Sequence, residues 1–390
     1  MIGLQLLAAL SLLAWVYLLL GRSGFWRARP RIEDERAPAP HAWPAVVAVV
    51  PARDEEAYVG LALRSLLEQD YQGELAIVLV DDHSTDATRR IAESLGVGGA
   101  RSLEAIAAPT LPGGWLGKLW AVEQGVRRAG ERWLEAPYLL LTDADIAHAR
   151  DNLARLVAKA EAEELDLVSL MVRLRCESFW ERLLVPAFVF FFQLLYPFAA
   201  VNQAGGRAAA AAGGCMLLRR RALAEAGGIA TIRSRLIDDV ALARAVKHRP
   251  GGGRIWLGLG KSARSLRAYR SLGSLWAMVA RSADTQLDHS LLLLAATVVG
   301  MALTFGGPPL AVLAWPIHGD AAAAALGGAA WLVMTAVYRP ITRWYDLRPI
   351  WLLSLPLAAL LFAAMTVDSA IQHRCGAGGR WKGRVPTPEA

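Results

Sequence analysis

Cysteine is nearly absent, with three in 390 residues. Cys176, Cys215 and Cys375 are odd in number and spaced like no zinc site, so neither a disulfide framework nor a structural metal is indicated; a reducing compartment fits. A Gly-Lys-Ser/Thr ending is missing from the glycine-rich stretch Leu111-Pro-Gly-Gly-Trp-Leu-Gly-Lys118, which excludes a P-loop there. No positive charge precedes the first apolar run and no small-residue cleavage site follows it, which argues against a cleaved signal peptide. Acidic residues are fewer than basic ones, 35 against 42, for a formal charge of +7. Because the basic residues cluster beside apolar runs, this excess points to anionic lipid head groups and not to nucleic acid.

What abounds is apolar. At 55% hydrophobic content the chain has material for one sizeable domain plus several membrane segments. Ile2 to Leu20 is almost wholly apolar, and Arg22, Arg27, Arg29 and Arg31 follow it. This predicts a membrane anchor over residues 1–21 and, by the positive-inside rule, a cytoplasmic chain beyond it. Residues 22–44, rich in charge and proline, read as a linker. Organised α/β structure is expected over 45–285. Ala45–Val50 and Leu75–Val80 are short continuous strand-like runs, with helical spacing over Ala57–Leu67 between them; Thr85–Leu95 predicts a second helix and Tyr138–Leu141 a later strand. Such alternation is that of a doubly wound, mainly parallel sheet, whose ligands collect at the carboxyl ends of the strands. Residues 179–201, dense in Phe, Leu, Trp and Tyr but interrupted by Glu181, Arg182, Pro186, Gln193 and Pro197, read as an interfacial segment or as a buried core helix.

Acidic motifs follow three of these strands. In Thr142-Asp143-Ala144-Asp145 alternate side chains of an extended segment point the same way, so Asp143 and Asp145 suit a Mg²⁺ or Mn²⁺ ion and its diphosphate. Asp82, in Asp81-Asp-His-Ser-Thr-Asp86, could accept from the N–H of a uracil-like base, while the loop Val50-Pro-Ala-Arg-Asp-Glu-Glu56 encloses base and ribose. The same acids read equally well as helix caps and dipole partners. Lys118 could neutralise phosphate or be an exposed lysine of a flexible loop. Asp238-Asp239 opens a helix running toward His248, and one carboxylate beside another has its proton affinity raised, which suits a general base. Arg264, Arg267, Arg270 and Arg281 clamp diphosphate, touch phospholipid or form a solvated face.

The carboxyl-terminal part, residues 290–372, holds the apolar stretches Leu291–Trp315, Ala321–Val337 and Ile350–Ile371, giving two or three crossings, and residues 373–390 form a basic tail. Three full crossings would put Arg380-Trp-Lys-Gly-Arg384 outside, whereas its charge places it inside. One stretch must therefore be re-entrant or interfacial; Gly306-Gly-Pro-Pro309 breaks the first, and Pro356 and Asp368 interrupt the last.

Taken in order, Pro-x-Arg-x-Glu-Glu, Asp-Asp-x-Ser-x-Asp, Gly-Lys, Asp-x-Asp, Gly-Gly-x-Met-Leu and Asp-Asp between about Ala45 and Arg281 resemble the inverting family 2 glycosyltransferases with a GT-A fold. With its membrane segments and terminal Trp-Lys-Gly-Arg, the chain more narrowly resembles the hopanoid-biosynthesis-associated branch, relatives of ceramide glucosyltransferase. The resemblance implies that Asp82 binds the nucleotide base, that Glu55 and Lys118 line the donor pocket, that Asp143 and Asp145 hold ribose and metal-diphosphate, and that Asp239 is the base. It departs at Asp54, where the family usually has Asn, and at Asp238, where it usually has Glu. Met278-Val-Ala-Arg-Ser282 keeps only the arginine of the Gln-x-x-Arg-Trp signature, so Arg281 is carried over as a donor contact on that one residue. The implied activity moves a single sugar from a nucleotide-diphosphate-sugar to a lipid hydroxyl, with inversion and a divalent cation, at a bacterial-type inner (cytoplasmic) membrane. The alternatives are a polyprenyl phosphate acceptor and, from another class, a non-catalytic membrane scaffold or lipid carrier.

Overall fold

The computed structural model describes residues 2–96 and 101–375; the basic motif of the tail lies outside them. Packing divides the chain into two units, one formed by residues 30–175 and 200–268, the other by residues 1–29, 176–199 and 269–379.

The first unit is an α/β sheet domain. Its strands are β1 (Val46–Ala52), β2 (Leu75–Asp81), β3 (Ser102–Ala107), β4 (Tyr138–Thr142), β5 (Ile146–His148), β6 (Leu167–Arg173), β7 (Cys215–Arg219) and β8 (Ile255–Ser265). They form one sheet in the order β3-β2-β1-β4-β7-β6-β8-β5. Valine-rich β1 and aliphatic β2 are buried at every position, as strands covered on both faces require. β1 pairs in parallel with β2 and β4, and β2 with β3, whereas β7 runs antiparallel to both β4 and β6. The expected mainly parallel sheet is thus found with two reversed strands, β7 and, at the edge, β5, which runs antiparallel to β8. Because β7 is reversed, Cys215 at its start pairs with Thr142 at the end of β4, bringing Gly213-Gly214 beside the Asp-x-Asp pair.

Crossover helices Val59–Leu67, Thr88–Gly96 and Gly117–Arg132 connect the parallel strands. The last of these lies so close to β1 that a Cβ on Gly125 would come within 2.3 Å of Val49 Cγ1, so glycine there lets the helix seat on the sheet. Its first turn carries Lys118, which is therefore helical and not part of the flexible loop. Part of the stretch read as a linker is also ordered: Pro30 O accepts from Leu259 N at 2.9 Å and Ile32 is buried in the core. The segment after Arg254, read from its arginines as a diphosphate clamp, a phospholipid contact or a solvated face, opens with the strand β8 and continues to the helix Leu272–Ala280. Gly258 and Gly260 interrupt its apolar pattern, and pairing with β6 and β5 makes the strand regardless.

In the second unit four helices are long and apolar enough to cross a membrane: Ile2–Leu20, Leu291–Leu313, Ala321–Trp344 and Pro349–Arg374. Gln5 Nε2 near the start of the first donates to both carboxylate oxygens of Asp320 at 3.1 and 3.0 Å, and Asp320 caps the third, so these two helices start level with one another. Between its halves the second carries a π-helical turn, Ala302–Gly306. Such a turn leaves backbone carbonyls short of helical partners, and Thr304 O accepts from Trp15 Nε1 at 2.7 Å. The segment read as interfacial or as a buried core helix contains Phe179–Leu195, opened by a capping box between Ser178 and Glu181, and the short helix Phe198–Val201. The longer helix runs beside the last apolar helix in the same direction, with Phe179 against Trp351 at 5.6 Å and Phe191 against Phe362 at 5.2 Å. Near the end of that last helix, Asp368 accepts from Trp276 Nε1 at 2.7 Å and Ser369 Oγ accepts from Asp284 N at 3.0 Å.

Candidate active site

The carboxyl ends of β1, β2 and β4 carry the acidic motifs, and three groups of side chains assemble there. The first lies around Lys118. Its ammonium stands 3.0 Å from Asp143 Oδ1 and 3.3 Å from Asp238 Oδ2, in a cleft also lined by Thr142, Gly213 and Met216. Burial works against the charged amine, but Asp143 and Asp238 outweigh it and hold its pKa above the ordinary lysine value. Asp239, the second residue of the helix Asp238–Lys247, accepts from Gly213 N through Oδ2 at 2.9 Å and from Val240 N through Oδ1 at 2.8 Å. Burial, and next the charge of Asp238, push its carboxyl up to about 7, against the pull of Lys118 and the two backbone donors. That is a carboxylate ready to take a proton near neutral pH. Asp143 is also raised, first by burial and then by Asp145, although Lys118 opposes both.

The second group is centred on Arg267. Its Nε stands 2.6 Å from Asp145 Oδ2, and its Nη2 is 2.6 Å from each oxygen of Glu55; the guanidinium also lies 5.2 Å from the Tyr58 ring centre. Short β5 pairs with the end of β8, and Leu266 N donates to Asp145 O at 2.8 Å, which is how a residue 122 positions away reaches the Asp-x-Asp pair. The sequence flagged this arginine only as one of a run.

The third group binds the two first loops together. Arg53 Nη1 donates to Asp82 O at 2.5 Å and lies 3.5 Å from Asp82 Oδ2, with Asp82 fully buried. Thr85 N donates to Asp54 Oδ1 at 2.7 Å, Glu55 N to Thr88 Oγ1 at 2.7 Å, and Ala87 N to Glu56 Oε2 at 3.0 Å. Asp54 and Glu56 therefore bridge to the second loop, whereas the helix Val59–Leu67 that follows them has no side-chain cap.

Beneath Asp143 lies a residue that sequence reasoning missed. His148 Nδ1 accepts from Asn152 Nδ2 at 2.9 Å, so its Nε2 donates to Thr142 Oγ1 at 3.0 Å, and that hydroxyl donates to Gly214 O at 2.8 Å. Burial pushes this imidazole down to about 4, so it stays neutral. The chain of bonds ties the Asp-x-Asp turn to the glycine pair that holds Asp239. Nothing local in Ile146-Ala-His148 signals it.

The Asp-x-Asp pair fits a divalent cation. Both residues offer hard carboxylate oxygens, and the proton affinity of Asp143 is raised in part by Asp145. Arg281 belongs to the other unit, exposed at the end of the helix Leu272–Ala280, so its role as a donor contact rests on the resemblance alone.

Residues 47–227 match the model described as glycosyl transferase family 2. Among curated proteins, the 4,4'-diaponeurosporenoate glycosyltransferase of Staphylococcus aureus is 32% identical over 108 residues, spanning 28% of this chain and 26% of that protein. The chain therefore matches about a quarter of that relative's length. Among solved structures, the mannosyltransferase of Pyrobaculum calidifontis in complex with GDP-Man and Mn²⁺ superposes with a TM-score of 0.58 at 20% identity, over 95% of this chain and 99% of that one. The sheet domain has the GT-A fold, and the match to the family 2 glycosyltransferases lies within it, over residues 47–227.

Proposed function

We propose that this chain is a family 2 glycosyltransferase that moves one sugar from a nucleotide diphosphate donor to the hydroxyl of a membrane lipid, with inversion at the anomeric carbon. The observation that carries the reading is Asp239, a carboxyl pushed up to about 7 and fixed by Gly213 N and Val240 N, next to Asp238 and Gly213, which line the cleft with Lys118 and Asp143. Asp239 takes the hydroxyl proton as the acceptor oxygen bonds to the anomeric carbon. The bond from that carbon to the phosphate oxygen breaks, and the nucleotide diphosphate leaves with the electron pair. Lys118 meets the charge of the departing phosphates, and Asp82 with the Arg53–Glu56 loop receives base and ribose. Asp143 and Asp145 would hold Mg²⁺ or Mn²⁺, which when bound neutralises charge on the leaving group. The GDP-Man and Mn²⁺ of the solved mannosyltransferase support donor and cation. The S. aureus relative, named for 4,4'-diaponeurosporenoate, supports an acceptor other than a soluble sugar. A hopanoid-type acceptor rests on the sequence motifs.

Chain connectivity and contacts inside the second unit support a membrane arrangement in which the last apolar helix does not cross. The helix Phe179–Leu195 leaves the sheet domain after residue 175 and returns to it by residue 200, so both its ends stay on one side. The helix Pro349–Arg374 runs alongside it and ends against Trp276 and Asp284, on the segment that leads from the sheet domain into Leu291. The stretch that does not cross is accordingly the last one. Crossings by Ile2–Leu20, Leu291–Leu313 and Ala321–Trp344 then leave the catalytic domain, the basic loop Tyr338–Arg348 and the basic tail together on the cytoplasmic side, as the positive-inside rule asks.

The test is incubation of the purified full chain in lipid with a panel of labelled nucleotide sugars and a total lipid extract, followed by mass spectrometry. A glycolipid carrying one added sugar supports the reading. Donor hydrolysis without any glycolipid argues against it.

A further inference from the structure

Asp284, His289 and His373 form a second cluster of metal-ligating groups, in the membrane-helix unit, for which the sugar-transfer reaction has no use. Their ligand atoms all lie within 4.8 Å of one another. Asp284 is 1% exposed. His289 Nδ1 lies 2.7 Å from Asp284 Oδ2, His373 Nδ1 lies 3.9 Å from the same oxygen, and the two rings are 4.9 Å apart. The other carboxylate oxygen, Asp284 Oδ1, is buried and has no hydrogen-bond partner among the described residues. An unmet carboxylate oxygen at such depth costs free energy unless something positive meets it, and the two imidazoles converge on the other oxygen of the same carboxylate.

We propose that Asp284, His289 and His373 bind a Zn²⁺ ion that clips the segment before the helix starting at Leu291 to the end of the helix Pro349–Arg374. Two imidazoles and one carboxylate, with no thiolate, make a borderline N/O donor set suited to zinc, whereas the all-oxygen Asp143/Asp145 pair suits Mg²⁺ or Mn²⁺. The backbone is arranged for the clip. Asp288 and His289 both adopt the left-handed conformation, at φ of 49° and 56°, and His289 N donates to Asp284 O at 3.1 Å, which turns the histidine back onto the aspartate. On the facing helix, Ser369 Oγ accepts from Asp284 N at 3.0 Å, and Ser369 O stands 3.0 Å from His373 Nδ1, one turn along. Three protein ligands leave a fourth zinc position for water.

The test uses the full chain in detergent, stripped with chelator and kept in excess Mg²⁺ so that the Asp-x-Asp pair is occupied. Zinc is titrated by calorimetry, and metal content is measured after gel filtration. One equivalent of Zn²⁺ is expected for the parent, together with a zinc-dependent rise in melting temperature. His289→Ala, at an exposed position where folding is not at stake, should weaken binding at least tenfold, as should His373→Ala, while Asp145→Asn should keep the equivalent. No zinc bound by the parent, or an equivalent that survives both histidine substitutions, overturns the proposal and leaves an ion pair between Asp284 and protonated histidines. An equivalent lost only in Asp145→Asn assigns the zinc to the active site and overturns it equally.

Discussion

Replacing Lys118 with Met removes the cation from the active-site cleft while keeping most of its volume, and the consequence can be sized. Both Lys118 Nζ and Asp239 Oδ2 come within 3.6 Å of where a Cβ on Gly213 would stand, so they are no more than about 7 Å apart. At an effective dielectric constant of about 20, a charge pair at about 7 Å is worth about 2.4 kcal/mol. The Lys118 side chain is 25% exposed, so roughly half of that survives screening, about 1 kcal/mol, or nearly one pKa unit. Lys118 lowers the pKa of Asp239, so its loss should raise it further. The general base must be ionised, so the acid limb of the kcat/KM profile should move up by about one pH unit in Lys118→Met. At pH 6 the variant should then fall about tenfold further behind the parent than at pH 9. The assay is sugar transfer to lipid from pH 5 to 9 at saturating Mn²⁺. A lower rate at every pH is expected in addition, because Lys118 also touches Asp143, so the position of the limb and not its height is the readout. An unmoved limb would refute the coupling of Lys118 to the base.

Three further outcomes can be checked. In the folded protein Asp239 is raised to about 7, so its contribution to stability is fully present below pH 4 and is lost as pH rises through 7; Asp239→Asn should gain about 4 kcal/mol on the parent between pH 4 and pH 8 by denaturant or thermal unfolding, and an equal difference at both pH values counts against the raised pKa. Arg267→Gln leaves Glu55 and Asp145 without their shared cation; charge-assisted bonds of this kind contribute about 1.5–3 kcal/mol, less here because Arg267 is 27% exposed, so the melting temperature should fall by a few degrees and the donor KM should rise, whereas a melting change alone would make the arginine purely structural. Single cysteines at Gly319, Arg343 and Arg374, in a background without the native three, should label with an impermeant thiol reagent in intact cells only at Gly319, and labelling at Arg374 before lysis would make the last helix a true crossing.

The sheet was legible where burial is two-sided: the continuous runs of β1, β2 and β4 need no partner to be recognised, and the acids that follow them fall at strand ends as expected. β3, β5 and β8 were not legible. β3 is a half-buried edge strand carrying Glu104, β5 has three residues, and β8 contains glycines and charges that only pairing with β6 overrides. The Lys118–Asp143–Asp238–Asp239 group was readable as separate motifs, because each sits in a recognisable local pattern. Its assembly depends on the reversal at β7, which no local pattern announces. The bridge from Arg267 to Glu55 and Asp145 and the chain of bonds through His148 are long-range in the same sense, since their partners come from distant loops. Conversely, the long apolar helices were plain from hydropathy alone, whereas the proposal that the last of them does not cross rests on the contacts of Trp351, Phe362 and Asp368.

The central claim is that Asp239 acts as the base for transfer to a lipid hydroxyl. It is tested most directly by single-turnover sugar transfer, comparing the parent with Asp239→Asn on the same lipid acceptor while donor binding is measured in parallel. The account predicts a fall of about 10²- to 10⁴-fold in the transfer rate with donor affinity nearly unchanged. Near-parental transfer by Asp239→Asn would contradict it and favour an acceptor that is already ionised, such as a polyprenyl phosphate.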